Sequence, residues 1–171
     1  MKVVFKGGGW TLTEEEASLP DGRVSKKVRV EYADTAHIVA EAGNGKIVVI
    51  REYRPFYGAY IWMLTSGHVD KEADPLVAAQ RELQEETGWR AEILKPLWTV
   101  RATEKFKNSH HFFLAQKLVK DPLPGDADEM IETHEMSPEE ALEKIEGSPN
   151  IHMASAYGLR RYISEKTQNK Y

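Results

Sequence analysis

The order of segments predicts an α+β fold: strands first, one helix among them, further strands, and helices again at the C-terminal end. Three observations carry that expectation. Short stretches with strand-like patterning recur up to about residue 135, a single sharply punctuated helical segment lies between Asp74 and Gly88, and two segments with helical start and stop signals close the chain. At 171 residues and 41% hydrophobic content, the chain suits one ordinary globular domain with a small appended sheet. We therefore divide it into an N-terminal β-strand extension, residues 1–33, and a main domain, residues 34–171.

Residues 1–12 read as a short strand, a break at Gly7-Gly8-Gly9 and a second short strand. From Arg23 to Ala33, Val24, Val28, Val30 and Tyr32 alternate with basic or polar residues, the period of a half-exposed strand. His37–Glu41 and Lys46–Arg54 flank Gly43-Asn44-Gly45, a tight hairpin turn. Ile47-Val48-Val49-Ile50 is apolar on both faces and belongs to a central strand. Tyr60–Thr65 forms the next strand, with Gly67 in a loop after it. Ala91–Val100 and His110–Leu118 are two more, Asp121–Asp126 is a loop, and Met130–Glu135 is another strand. Ser137-Pro138-Glu139-Glu140 is a capping box that opens a helix to Glu146, closed by Gly147. A last helix covers Ala154–Lys166.

The middle helix carries the chemistry. Asp74 supplies an N-cap, Pro75 takes the first helical position, and Gly88 stands where a left-handed C-terminal residue belongs. Leu76, Ala79 and Leu83 form a packing stripe. Glu82, Glu85 and Glu86, at i, i+3 and i+4, share another face with no lysine interleaved. An acidic cluster is most often a solvated face. Here the repulsion, together with a strand and Gly67 just ahead of the helix, points to a hard divalent cation, which takes oxygen ligands of this kind alongside substrate phosphates.

Composition excludes several other classes. A net charge of −4 argues against a surface that tracks many phosphates, so no nucleic-acid partner is favoured. Absence of cysteine excludes disulfides, thiolate catalysis and cysteine-based zinc sites. No apolar run approaches the ~20 residues of a membrane span, and the N-terminus lacks a signal-peptide core, so no membrane partner is expected and a cytoplasmic location follows by default.

Gly67, Arg81-Glu82-Leu83, Glu85-Glu86 and Gly88-Trp89 resemble the Nudix box, G-x5-E-x7-R-E-U-x-E-E-x-G-U with U apolar. One fixed position departs: Ala73 stands where the first glutamate belongs, between Glu72 and Asp74. The likeness extends over residues 23–165 towards the ADP-ribose, or nucleoside diphosphate sugar, pyrophosphatase branch. It runs through Val48-Val49-Ile50-Arg51-Glu52-Tyr53-Arg54-Pro55, the Asp74–Ala79 helix entry, Asp128-Glu129-Met130-Ile131-Glu132 and the helix after Ser137.

The resemblance implies a Nudix-type α/β/α sandwich with a mixed sheet. It implies Mg²⁺, replaceable by Mn²⁺, held by Glu82, Glu86 and Glu85 with the Ser66 carbonyl as a further ligand; Glu85 could instead hold a second ion. Arg81 would orient the glutamates. The general base would be Glu129, with Asp128, Glu132 or a glutamate of the box, Glu85 among them, as alternatives. Arg54, and after it Arg51, would bind substrate phosphate, since a guanidinium matches phosphate oxygens bidentately. Tyr32 and Phe56 are candidates for stacking a nucleobase, and His68 follows Gly67 closely enough to reach the site. His110 and His111 are expected to divide between core and solvent faces of their strand. Homodimerisation through residues 1–33 is implied as well.

The expected reaction is Mg²⁺-dependent hydrolysis of the diphosphate linkage in a nucleoside diphosphate sugar, giving a nucleoside monophosphate and a sugar phosphate. The region Arg101–Asn108, where the ADP-ribose branch usually carries a proline, has none and has two lysines, which leaves room for other nucleotide sugars. Two alternatives stand beside this. One is a Nudix hydrolase acting on a nucleoside triphosphate, a dinucleoside polyphosphate or an RNA 5′ end; the other, motivated by Ala73, is a non-catalytic nucleotide-binding module.

Overall fold

The computed structural model describes residues 1–69 and 74–168. A three-stranded antiparallel sheet opens the chain, with β1 (Lys2–Gly7), β2 (Trp10–Ser18) and β3 (Val24–Glu31) in that spatial order. β2 runs well past the short strand that apolar patterning suggests. Its acidic run is accommodated in register, Glu15 opposite Lys27 and Glu16 opposite Lys26, and opposite-charge cross-strand pairs stabilise a sheet without any apolar signal.

The hairpin of β4 (Asp34–Gly43) and β5 (Lys46–Arg54) turns on Asn44 and Gly45, with φ of 50° and 76°. Both values are left-handed, as a two-residue turn matching the strand twist requires. β6 (Ala59–Met63) pairs with β5, whereas β7 (Thr65–Val69) pairs with β4. The apolar run that reads as one strand is thus two, divided at Leu64, and Gly67 lies inside β7 opposite Ala36 rather than in a loop. α1 (Pro75–Thr87) leads into β8 (Trp89–Val100), β9 (His110–Lys120) and β10 (Ile131–Met136), and then into α2 (Pro138–Glu146) and α3 (Met153–Thr167). The main sheet runs β10-β5-β4-β9-β8, with β6 and β7 off this path. β4 and β9 are parallel and the other pairings antiparallel.

Helices cover both faces of this sheet. Ala36, Ile38, Ala40 and Val48 pack against Ala79 and Leu83 of α1. Val39, Ile47 and Val49, next in alternation, pack against Ala141 and Ile145 of α2 and Leu159 and Tyr162 of α3. Ile47, Val48, Val49 and Ile50 are all at most 1% exposed, each such side chain contributing about 1.5–3 kcal/mol by burial. This is the expected α/β/α sandwich. The packing stripe of α1 is shifted from the one expected: Leu76 is 40% exposed, and Ala78, fully buried, joins Ala79 and Leu83 instead. Gly158, in the middle of α3, admits a close approach to the sheet, because a Cβ there would overlap the Phe112 ring.

The small sheet is stitched to the main one. The Val30 N–H donates to the Lys105 carbonyl and the Lys107 N–H donates to the Val30 carbonyl, both at 2.8 Å. Lys107 Nζ lies 2.5 Å from Glu15 Oε1 on β2. The stretch Arg101–Asn108, expected to set specificity, therefore contributes both of its lysines to this junction, Lys105 through its carbonyl and Lys107 through its N–H and side chain. Among the described residues no helix is long and apolar enough to cross a membrane.

Candidate active site

α1 forms as its caps dictate. The Asp74 carboxylate accepts from the Leu76 N–H, and Gly88, with φ 71°, donates its N–H to the Gln84 carbonyl. Packing of Ala79 and Leu83 on the sheet turns Glu82 and Glu86 towards β7. Glu86 Oε2 accepts from the Ser66 N–H at 3.1 Å, and the Glu82 carboxyl rests directly on Gly67. Any Cβ at residue 67 would overlap that carboxyl, so the glycine is a requirement of close approach.

These groups line a cavity of about 830 Å³, towards the upper end of the roughly 300–1,000 Å³ of ligand clefts. Its wall includes Arg54, Ser66, Gly67, His68, Arg81, Glu82, Glu86 and Glu129, with Trp10, Tyr32, Phe56 and Tyr57 also lining it. Trp10 and Tyr32 stack with centroids 4.3 Å apart, and Phe56 is fully exposed. Arg81 is held at 2.8 Å to Glu82 Oε1 and 2.6 Å to Glu85 Oε2 and donates to the His68 carbonyl at 3.3 Å. In the absence of Glu at residue 73, Arg81 thus has partners within its own helix and β7. Residue 73 itself, with Glu72, lies outside the described residues.

Crowding sets the electrostatics. Burial, opposed by Arg81, pushes the Glu82 carboxyl up to about 7. Burial and then the charge of Glu82 lift Glu86 well above the carboxylate range, against the stabilising Ser66 N–H. Glu129, from an otherwise exposed loop, is raised by partial burial and by Asp126. Desolvation that protonates a carboxylate is relieved by a nearby cation. The donor set fits a hard divalent ion: it is made of oxygen, partly buried and self-repelling. As arranged, no three Asp, Glu or His side chains among the described residues stand ready to hold one, and Arg81 is paired with Glu82 and Glu85. Glu82, Glu86 and the Ser66 backbone are the groups that could hold the ion at the cavity wall.

Alternation along β5 separates the two candidate arginines. Arg54 faces the cavity. Arg51 points from the opposite face, pairs with Glu132 at 3.0 Å, lies over the Tyr60 ring and lines a separate depression with Trp62 and Lys144. The structure thus does not bring Arg51 to the expected phosphate site. Glu132 is spent on the same pair, and Asp128 is not in the cavity wall, so of the late acidic candidates Glu129 alone lines it.

Other residues of the site were not anticipated. Glu52 is 4% exposed, shares the Arg54 face of β5 and meets Arg54 Nη2 at 2.8 Å. Strand alternation could have found it, because residues i and i+2 point together. His37 and His152 join His110 in the cavity wall. His37 Nε2 lies 3.0 Å from His110 Nδ1, and His152 Nδ1 lies 2.6 Å from Ser155 Oγ. Burial lowers all three imidazoles, His37 well below its ordinary value and His152 to about 4, so the rings are neutral near pH 7. His111, on the other face of β9, pairs with Asp34 at 3.0 Å; His110 and His111 are both half-buried, so they divide between the cavity and this pairing rather than between core and solvent.

The NUDIX domain profile matches residues 31–155. The chain belongs to the Nudix family. Its relatives include an ADP-ribose pyrophosphatase of Bacillus subtilis (strain 168), 29% identical over 92% of this chain and 86% of that protein. A methanol dehydrogenase activator of Bacillus methanolicus is 30% identical over 83% of this chain and 78% of its own length. A CMP-5'-(N-acetyl-N-hydroxy-3-aminopropyl)phosphonate hydrolase of Streptomyces rubellomurinus (strain ATCC 31215) is 29% identical over 92% of this chain and 77% of that one. Among solved structures, an ADP compounds hydrolase superposes with a TM-score of 0.75 at 20% identity, covering 96% of this chain and 92% of the other, a likeness of fold. This Nudix chain carries the family's box on α1 with Ala73 at one fixed position.

Proposed function

We propose that this Nudix protein hydrolyses the diphosphate linkage of a nucleoside diphosphate sugar, ADP-ribose or a close analogue, to a nucleoside monophosphate and a sugar phosphate. One observation carries the reading: Arg54 at the end of β5, Glu82 and Glu86 on α1, and Glu129 in the loop before β10 share one cavity large enough for such a substrate. A diphosphate resists attack because its negative oxygens repel an incoming hydroxide. Mg²⁺, or Mn²⁺ in its place, would be held by Glu82, Glu86 and the Ser66 carbonyl with Glu85 in support, and supplies charge neutralisation when bound.

The chain's own residues do the rest. Arg54 offers a fork of donors to the diphosphate and is held in place by Glu52. Glu129, whose carboxyl is raised above its ordinary value by partial burial and by Asp126, accepts the proton of the attacking water. Arg81 fixes the orientations of Glu82 and Glu85. The stacked pair Trp10 and Tyr32, with Phe56, offers aromatic faces to a base.

We further take the protein to be a cytoplasmic homodimer. Phe5, Val24 and Val28 leave exposed apolar side chains on one face of the small sheet, and a second copy would cover them. Incubation with Mg²⁺ and a panel of nucleotide sugars, followed by chromatography of the products, tests the activity. Paired release of nucleoside monophosphate and sugar phosphate is expected. Turnover of nucleoside triphosphates alone, or binding with no turnover, would replace this reading with one of its two rivals.

A further inference from the structure

The imidazole wall of the cavity is built to a pattern of its own. His37 comes from β4, His110 from β9 and His152 from the residue just before α3, and all three line the cavity. His37 is 1% exposed and stacks between Phe112, centroids 4.9 Å apart, and His110, at 5.3 Å. Its ring lies 5.8 Å from that of His152. Among the described residues, His37 Nδ1 has no hydrogen-bond partner. A buried polar atom left so is rare, and each instance calls for a reason.

Following the protons along the cluster gives that reason. The Asn108 amide nitrogen, a donor, lies 3.5 Å from His110 Nε2, and the tautomer that uses this contact has Nε2 as acceptor. In that tautomer a neutral His110 carries its proton on Nδ1 and donates it to His37 Nε2, 3.0 Å away. His37 is left with its own proton on Nδ1, the atom without a partner. The second branch ends the same way. Ser155 is fully buried, its oxygen accepts from the Leu64 N–H at 3.0 Å, and its hydroxyl proton has His152 Nδ1 as acceptor at 2.6 Å. A neutral His152 then carries its proton on Nε2. Both branches deliver an N–H donor for an acceptor that the protein does not supply.

Position narrows the choice of acceptor. Asn108 at one end of the cluster lies near the hydroxyl of Tyr32, the stacking partner of Trp10, while His152 at the other end lies within the field of Arg54. The histidines thus lie between the aromatic surface and the group that would bind the diphosphate. We propose that His37, His110 and His152 form a subsite that recognises the hydroxyl groups of a ribose in the substrate through the free N–H groups of His37 and His152. The subsite rests on the diphosphate-sugar reading above and adds to it what decides between one sugar and another. Uncharged donors suit hydroxyl oxygens, which both accept and donate, and a site built for a hydroxyl discriminates sharply against the analogue that lacks it.

Three ligands test this: ADP-ribose, the analogue with 2′-deoxyadenosine, and the analogue whose terminal sugar is 2-deoxyribose. The wild type is expected to disfavour one deoxy analogue by on the order of 100-fold in kcat/KM, and which one tells whether the nucleoside ribose or the terminal ribose is read. In His37→Phe, and in the half-buried His152→Phe should the first variant not fold, that ratio should fall towards 1. Equal use of all three ligands by the wild type, or full discrimination retained in a folded variant, overturns the proposal. Calorimetric titration with the same ligands separates it from the activity itself. Discrimination in binding without turnover keeps the subsite and discards the hydrolase, whereas turnover without discrimination does the reverse.

Discussion

Two walls of one cavity solve the problem of buried titratable groups in opposite ways. On the α1 side, Glu82, Glu86 and Glu129 are crowded together and pushed towards protonation, and a cation would restore their charge. On the β4–β9 side, His37, His110 and His152 are also crowded, but they are uncharged and engage two separate branches of hydrogen bonds, His110 with His37 and Ser155 with His152. The first wall awaits a charge and the second an oxygen acceptor. Such an asymmetry suits a ligand with an anionic centre and a polyhydroxylated flank.

The largest effect should come from discharging the acidic wall. Glu86→Gln is expected to lower kcat by about 1,000-fold, roughly 4 kcal/mol of transition-state stabilisation, without lowering the thermal midpoint, because it removes a repelling buried carboxylate. Near-normal steady-state rates would dissolve the distinction between the walls. Glu129→Gln comes next, at about 100-fold in kcat, the lower range for loss of a general base. An unaltered rate would move the base to another residue. Glu52→Gln should be milder, raising KM about tenfold with kcat little changed, since Arg54 loses a charge-assisted partner but stays in place. A fall in kcat with KM constant would show that Glu52 acts on the reaction itself.

The smallest effect is in stability. Glu82 is raised from 4.5 to about 7, so between those values the folded state holds more protons than the unfolded, and this group's contribution to stability falls as pH rises. His152, lowered from 6.5 to about 4, acts in the opposite sense over nearly the same window. The two trends offset each other in the protein alone. A cation needs ionised carboxylates, so the rise in thermal midpoint on adding Mg²⁺ should grow between pH 4.5 and 7. A Mg²⁺ shift independent of pH would mean that the ion binds away from Glu82.

The walls also differ in how far the sequence discloses them. The α1 glutamates lie within one turn and a half of helix, between an aspartate cap and a glycine stop, so local geometry suffices to put them on one face. Ser66, Gly67 and Arg54 come from the resemblance to the family's box and its flanking stretches, not from local geometry. His37, His110 and His152 have no such local signature, because their meeting depends on the parallel pairing of β4 with β9 and on where α3 begins. Parallel pairing is a long-range contact that no turn residue announces. Arg51 illustrates the converse: it sits in a stretch that resembles the family, yet the two-residue period of β5 sends it to the far face. Leu64 hides a switch of pairing partner that an unbroken apolar run cannot reveal.

Gly158 sets the distance between α3 and the sheet. A glycine inside a helix costs about 1 kcal/mol relative to alanine, and here the missing methyl group makes room for the Phe112 ring. Phe112 in turn stacks on His37, and His152 stands at the head of the same helix. A single added carbon at residue 158 would act as a shim, prising the helix from the ring beneath and loosening two of the three histidines at once. Substrate preference in this molecule could therefore be retuned from a position that no substrate touches.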